Sequence, residues 1–225
     1  MLEARRGRLL LAGAAAVVLA LALTLHAAGG ATGADVRHCA RLSAQSQERE
    51  QAIAGAGRPI VVIGDSYSVG LGLRDPAASW PSRLHGRVQV FGFSGSGFSA
   101  HASPCAGVSY AARARHALRG GADLVVVEGG LNDTDQPTAE IRAGFRALMA
   151  RLAGRNVLVV GPPPAPVRAA GARRVDAILR AEAGRAGARY LSMLDRTFPY
   201  LEDHLHLTAA GHHAFGSIVE AEVAD

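Results

Sequence analysis

The chain has 225 residues, 49% of them hydrophobic and only 5% aromatic, enough to bury the core of one α/β domain with mainly small aliphatic side chains. Its formal charge is +5, and all 24 of its Lys and Arg positions are arginine. These arginines are spread along the helical stretches, with neither a basic block nor a recognisable nucleic-acid module, which argues against nucleic acid as a partner.

Residues 1–34 form a separate region. Arg5, Arg6 and Arg8 precede Leu9–Ala28, an uncharged run whose polar members are Thr24 and His26. A basic start, an apolar stretch and a small-residue tail are the syntax of an export signal, and Arg5-Arg6 is a weak hint of a folded-export route. The apolar run is also long enough to span a bilayer as a helix. The sequence therefore predicts export, with cleavage after Ala31 or Ala34 and retention as an N-terminal anchor both open. Membrane contact is expected only through this segment, if it is kept. Cys39 and Cys105 are the two cysteines of the chain. An even count in an exported chain suggests a disulfide between them, against the alternative of two buried thiols.

Residues 35–57 are polar and helix-permissive, a lead-in helix or spacer. From 58 to 225 strand and helix signals alternate. Short apolar runs predict strands at Ile60–Ile63, Val88–Phe91, Leu124–Glu128, Val157–Val160 and Tyr190–Met193. Between them, Thr138 reads as the N-cap of a helix carrying Ile141, Phe145, Leu148 and Leu152 at helical spacing. Gly187 reads as the stop of the next helix, and Thr208 as the cap of a last one whose apolar face is Phe215, Ile218 and Val219. Five such strands argue for a doubly wound parallel sheet with helices on both faces, in one domain.

In that architecture the loops after the strands gather at one edge, where ligands bind. Four stretches there carry chemistry: Gly64-Asp65-Ser66 after the first strand, Gly92–Gly97 after the second, Gly129–Asp133 after the third, and Asp203–Thr208 before the last helix. Ser68 stands where the usual G-x-S-x-G hydrolase elbow needs glycine, so that motif is excluded. His204, His206, His212 and His213 lack further well-spaced acidic or cysteine ligands, and no metal or other cofactor is expected.

Taken in order, the four stretches resemble the sequence blocks of the SGNH (GDSL-type) hydrolase family, from about Arg58 to the C-terminus. Gly64-Asp65-Ser66 is similar to the nucleophile block, the Gly95 turn to the glycine block, Gly130-Leu131-Asn132-Asp133 to G-x-N-D, and Asp203 with His206 to D-x-x-H. Tyr67 departs from the leucine of the family's nickname motif. The resemblance implies a flavodoxin-like fold and a serine hydrolase of carboxylic esters acting through an acyl-enzyme. It implies oxyanion donors from the backbone N–H of Ser66, the backbone N–H of Gly95 and the Asn132 side chain. The residue chemistry agrees. His206 can take the Ser66 proton, and Asp203, three residues earlier as in a helical turn, can orient the imidazole. Glycine at 95 would allow close approach.

The expected substrate is a small-molecule, glycan or lipid ester, and the expected state is a monomer, secreted or anchored outside the cytoplasm. An alternative keeps the fold and removes acetyl groups from cell-wall or polysaccharide sugars, since the loops are too short to form a lid. A third reading is a non-catalytic surface domain that has kept the fold.

Overall fold

The computed structural model describes residues 35–224, so the expected leader at 1–34 lies outside the described residues. The chain divides into two compact units, residues 1–41 and 42–225. In the first, residues 35–41 are helical, with Arg41 Nη2 3.1 Å from His38 Nδ1. Cys39 and Cys105 are both disulfide-bonded, the state expected from the even cysteine count. Among the described residues no helix is long and apolar enough to cross a membrane.

The second unit opens with helical residues 42–51, labelled α1. Its sheet has five parallel strands: β1 (Pro59–Gly64), β2 (Arg87–Gly92), β3 (Leu124–Glu128), β4 (Val157–Val160) and β5 (Arg189–Leu191). They lie in the order β2-β1-β3-β4-β5, with Val62 of β1 opposite Val90 and Val126. This is the doubly wound order, with the chain reversing direction across the sheet between β1 and β3. Both faces of a parallel sheet are buried, which is why the strands read as unbroken β-branched runs.

Alternation along each strand divides the core in two. Ile60, Val62, Val90, Val126 and Val160 face Trp80 and the Phe215–Val219–Val223 stripe of α6 (Ala209–Ala224). Val61, Ile63, Val127 and Val159 face α3 (Tyr110–Ala117), α4 (Thr138–Arg151) and α5 (Ala169–Ala186). Aromatic packing concentrates what little aromatic area the chain has. Phe98 lies edge-on to Tyr110 at 4.8 Å and stacks on Phe145 at 5.5 Å. Buried Glu182 on α5 collects Arg142 and Arg146 of α4 and Arg185 of its own helix, at 3.5, 2.8 and 2.7 Å. This fork-on-carboxylate geometry uses arginine in a way lysine could not reproduce.

Some boundaries differ from expectation. Thr138 is the first residue of α4 and Pro137 takes the cap position, its carbonyl accepting from Glu140 and Ile141. The fifth strand begins at Arg189 and ends at Leu191, because Ser192 turns aside to bond Asp176 through its hydroxyl (2.7 Å), while Met193 drops into the core. The expected stop at Gly187 is present as a left-handed residue (φ 67°), and Thr208 Oγ1 accepts from Gly211 N at the start of α6.

Phe145 is fully buried where α4 meets the sheet and the Phe98 ring. Replacing a buried phenylalanine by alanine loses its transfer energy and leaves a cavity. Phe145→Ala is expected to lower stability by about 3–5 kcal/mol in urea unfolding. A loss below about 1 kcal/mol would mean that this packing is not formed.

Candidate active site

The four chemistry-bearing stretches meet beyond the carboxyl ends of β1, β2 and β3. Ser66 is the first residue of a one-turn helix, α2 (Ser66–Val69), leaving β1. The cap of α2 is Asp65, whose Oδ1 accepts from Tyr67 N at 3.0 Å. The capping duty that a serine here could have served thus falls to its neighbour, and the Ser66 hydroxyl lies 3.2 Å from His206 Nε2.

On the other side of the ring, His206 Nδ1 is 2.6 Å from Asp203 Oδ2. The 203–206 stretch is a bend and not the helical turn that the spacing suggested. Asp203 Oδ1 accepts from both Leu205 N (3.0 Å) and His206 N (2.9 Å), folding the chain around its own carboxylate. His204 is forced to a φ of 52°, and among the described residues it is the one non-glycine with positive φ. Desolvation pushes the Asp203 carboxyl up, but the His206 ring and these two N–H groups outweigh it and hold the carboxyl at about 2. Asp203 is therefore ionised at neutral pH. An ionised partner at 2.6 Å calls for the proton on Nδ1, so that in a neutral ring Nε2 is the acceptor that faces Ser66 Oγ.

Tyr67, the departure from the family motif, also has a place. Its ring is buried, and its hydroxyl donates to the carbonyl of Leu205, inside the bend that carries the histidine. The turn that carries Ser66 and the bend that carries His206 are thereby linked directly. Desolvation raises the Tyr67 phenol, so it stays protonated and remains a donor.

Gly95 has φ 82°, and apart from its own residue and its two chain neighbours no protein atom lies within 4 Å of where its Cβ would stand. The demand for glycine here is conformational, and crowding by the protein does not enter. Asn132 Nδ2 donates to Ser96 O at 2.9 Å and to Asp65 Oδ2 at 3.2 Å, tying the loops after β1, β2 and β3 together.

Beneath these groups lie side chains to which the sequence reading gave no role. Asp65 is buried, and desolvation raises it to about 6 against the pull of Tyr67 N–H, His206, Tyr110 and Arg113. Glu128, at the end of β3, accepts from Ser68 Oγ at 2.6 Å and is pushed well up by burial. Asp133 accepts from Phe98 N (3.0 Å) and Ser99 N (2.8 Å), and desolvation raises it to about 7. Arg113 of α3 donates to Gly64 O and Ser96 Oγ, both at 2.9 Å, and to Phe91 O, with burial lowering it to about 10. A charge closing the apolar run of β3 could have pointed to Glu128. Nothing in the arginine-rich surroundings of Arg113 marks it out.

A family model described as the GDSL-like Lipase/Acylhydrolase family matches residues 62–214, and the chain belongs to that family. It is accordingly an ester hydrolase. No curated protein matches the sequence. Among solved structures, the chain is similar to Est24, a carbohydrate acetylesterase from Sinorhizobium meliloti, at 20% identity and a TM-score of 0.62, covering 75% of this chain and 99% of that one. It is also similar to the aryl esterase of M. smegmatis, at 19% identity and a TM-score of 0.59, covering 75% and 99%. At these identities the likeness is one of fold.

Asp133 gives a pH-dependent prediction. Its folded value near 7 lies above the ordinary 3.8, so folding holds a proton that the unfolded chain releases. The stability it contributes is complete below about pH 4 and is lost as pH rises through about 7, with a slope of at most about 1.4 kcal/mol per unit. Between pH 5 and 7 the wild type should lose urea stability relative to Asp133→Asn, which carries no charge at either pH. Parallel pH dependence of the two proteins would contradict this account of the buried carboxyl.

Proposed function

We propose that this protein is an exported serine hydrolase that cleaves carboxylic esters through an acyl-enzyme, with Ser66 as nucleophile, His206 as base and Asp203 as its orienting acid. The observation that carries the reading is the unbroken contact from Asp203 Oδ2 to His206 Nδ1 (2.6 Å) and from His206 Nε2 to Ser66 Oγ (3.2 Å).

Ser66 Oγ attacks the ester carbonyl while its proton passes to His206 Nε2, and the ionised Asp203 stabilises the imidazolium so formed. The carbonyl oxygen becomes an oxyanion, held by the N–H groups of Ser66 and Gly95 and by Asn132 Nδ2. Asn132 supplies its donor by exchanging its longer bond, the 3.2 Å contact with Asp65, for one to the oxyanion. Collapse of the tetrahedral species breaks the carbon–oxygen bond to the alcohol, which leaves with the proton from His206. Water then attacks the acyl-serine, gives its proton to His206, and a second collapse frees the carboxylic acid and restores Ser66. Preorganised donors of this kind are each worth about two to three orders of magnitude in rate.

Export is proposed from the basic and apolar leader, and the disulfide-bonded state of Cys39 and Cys105 supports it, since such bonds persist in oxidising compartments. A second reading, removal of acetyl groups from sugars, draws support from the fold neighbour named as a carbohydrate acetylesterase.

Purified protein should hydrolyse short-chain p-nitrophenyl esters. Ser66→Ala should lower kcat by about 10⁴–10⁶-fold, and Asp203→Asn, which removes the charge but keeps the shape, by about 10⁴-fold. Activity surviving in Ser66→Ala would sink the assignment. Acetyl release from acetylated xylan, compared with hydrolysis of octanoate esters, decides between the two substrate readings.

A further inference from the structure

Arginines that stand apart in the sequence are gathered by the fold. Residues 138–187, which run from α4 through β4 to the end of α5, carry nine arginines against three acids, a net +6 in a chain whose total is +5. The remainder is slightly acidic. α4 and α5 cover the same face of the sheet and pack on each other, with Arg142 and Arg146 of α4 reaching Glu182 of α5.

The exposed positions of these two helices hold arginine, alanine and glycine and nothing else. On α4 the exposed arginines are Arg142, Arg146 and Arg151. On α5 they are Arg173, Arg174, Arg180 and Arg185. Of the three acids, Asp176 and Glu182 are buried, and Glu140 is partly buried with His101 Nδ1 at 2.6 Å. Three guanidinium groups share the one Glu182 carboxylate, so that cluster keeps an excess of two positive charges. The alanines between the arginines keep the surface low, and the side chains of Arg142, Arg146, Arg180 and Arg185 are 45–65% exposed above it. The outer side of the helix pair thus presents one sign of charge.

Its shape narrows the partner. The two helices, of 14 and 18 residues, form neighbouring rows about 21 and 27 Å long at 1.5 Å per residue. A linear polyanion would engage one row, whereas a plane of anionic groups meets both. Among the described residues, none of the exposed large hydrophobics lies on α4 or α5, so the contact has no apolar part to insert. Guanidinium forks bond phosphate oxygens in pairs, and each basic side chain close to an anionic bilayer adds about fivefold in affinity. A bilayer is also what the apolar run Leu9–Ala28 is long enough to enter. α6, on the opposite face of the sheet, has no arginine and carries Glu220 and Glu222, which gives the contact a direction. The carboxyl edge of the sheet belongs to neither face, so Ser66 stays open to substrate.

We propose that the α4–α5 face docks on an anionic phospholipid bilayer. The docking concerns binding alone and does not depend on the reaction proposed for Ser66.

The test uses the full chain with a fluorophore on Ala147→Cys, on the exposed side of α4, or on Ala221→Cys, on the exposed side of α6. The native cysteines are disulfide-bonded and do not take the label. Energy transfer is measured to a rhodamine lipid in vesicles of phosphatidylcholine, alone or with an equal part of phosphatidylglycerol. The Ala147→Cys label should gain transfer on the phosphatidylglycerol vesicles and lose that gain at about 1 M NaCl, while the Ala221→Cys label gains none. Arg173→Gln with Arg180→Gln leaves the Glu182 cluster intact and should lower the salt midpoint of the gain by about twofold or more. Arg83→Gln with Arg87→Gln removes the same charge at exposed positions outside this face and should leave the midpoint unchanged. The proposal is overturned if the Ala147→Cys label gains nothing on phosphatidylglycerol, if both labels gain equally, if the gain survives high salt, or if the two arginine pairs act alike. Binding of soluble polyphosphate without docking on vesicles overturns it as well, since the face would then serve a linear polyanion.

Discussion

At the carboxyl end of β1 one buried carboxylate holds three segments of the chain at once. Asp65 Oδ1 caps the Ser66 turn through Tyr67 N (3.0 Å), while Oδ2 receives Asn132 Nδ2 (3.2 Å) and the Tyr110 hydroxyl (3.4 Å). Each donor left unpaired in this interior would cost about 1–3 kcal/mol, so the loops after β1 and β3 and the start of α3 are fixed relative to one another by a single side chain. The positioning has an electrostatic cost: burial raises Asp65 to about 6, and Arg113 is among the groups that pull it back. Arg113 reaches this region by bracing Gly64 O and Ser96 Oγ, so the buried cation sits where both the strand end and the glycine loop need a donor.

The contrast with Asp203 shows how one residue type takes two states a short distance apart. Asp65 is buried, and the desolvation cost outweighs its hydrogen bonds. Asp203 stands at the surface with its side chain about half exposed (48%), and three donors from its own bend hold it ionised. The imidazole between Asp203 and Ser66 thus sees a firm negative charge on the Nδ1 side. Tyr67 secures this arrangement from the Ser66 side, because its hydroxyl bonds the Leu205 carbonyl within the same bend.

Much of this was legible in the sequence for a simple physical reason. Parallel strands buried on both faces must be apolar throughout, so β3 and β4 show their full lengths as Leu124–Glu128 and Val157–Val160. The weakest strand, β5, is partly buried along its length and mixes polar with apolar residues, and its end was misplaced by two residues. The positions of Ser66, Gly95, Asn132, Asp203 and His206 followed from motif order, but the reasons for two of them did not. Gly95 is needed for its backbone angle, and Asp203 reaches His206 through a side-chain-capped bend with a strained residue between them. Glu128 closes an apolar run and Asp133 sits in a motif block, but what these two and Arg113 bond to depends on which residues meet at the sheet edge, and no local spacing encodes that.

The central claim is that Asp203, His206 and Ser66 act as one unit that makes a single hydroxyl nucleophilic. It is tested most directly by exposing the folded protein to a fluorophosphonate probe and mapping the adduct by peptide mass spectrometry. The account predicts stoichiometric labelling at Ser66 alone, slowed by orders of magnitude in His206→Ala despite an unchanged fold. Labelling at another serine, or equal labelling rates with and without the histidine, would contradict it.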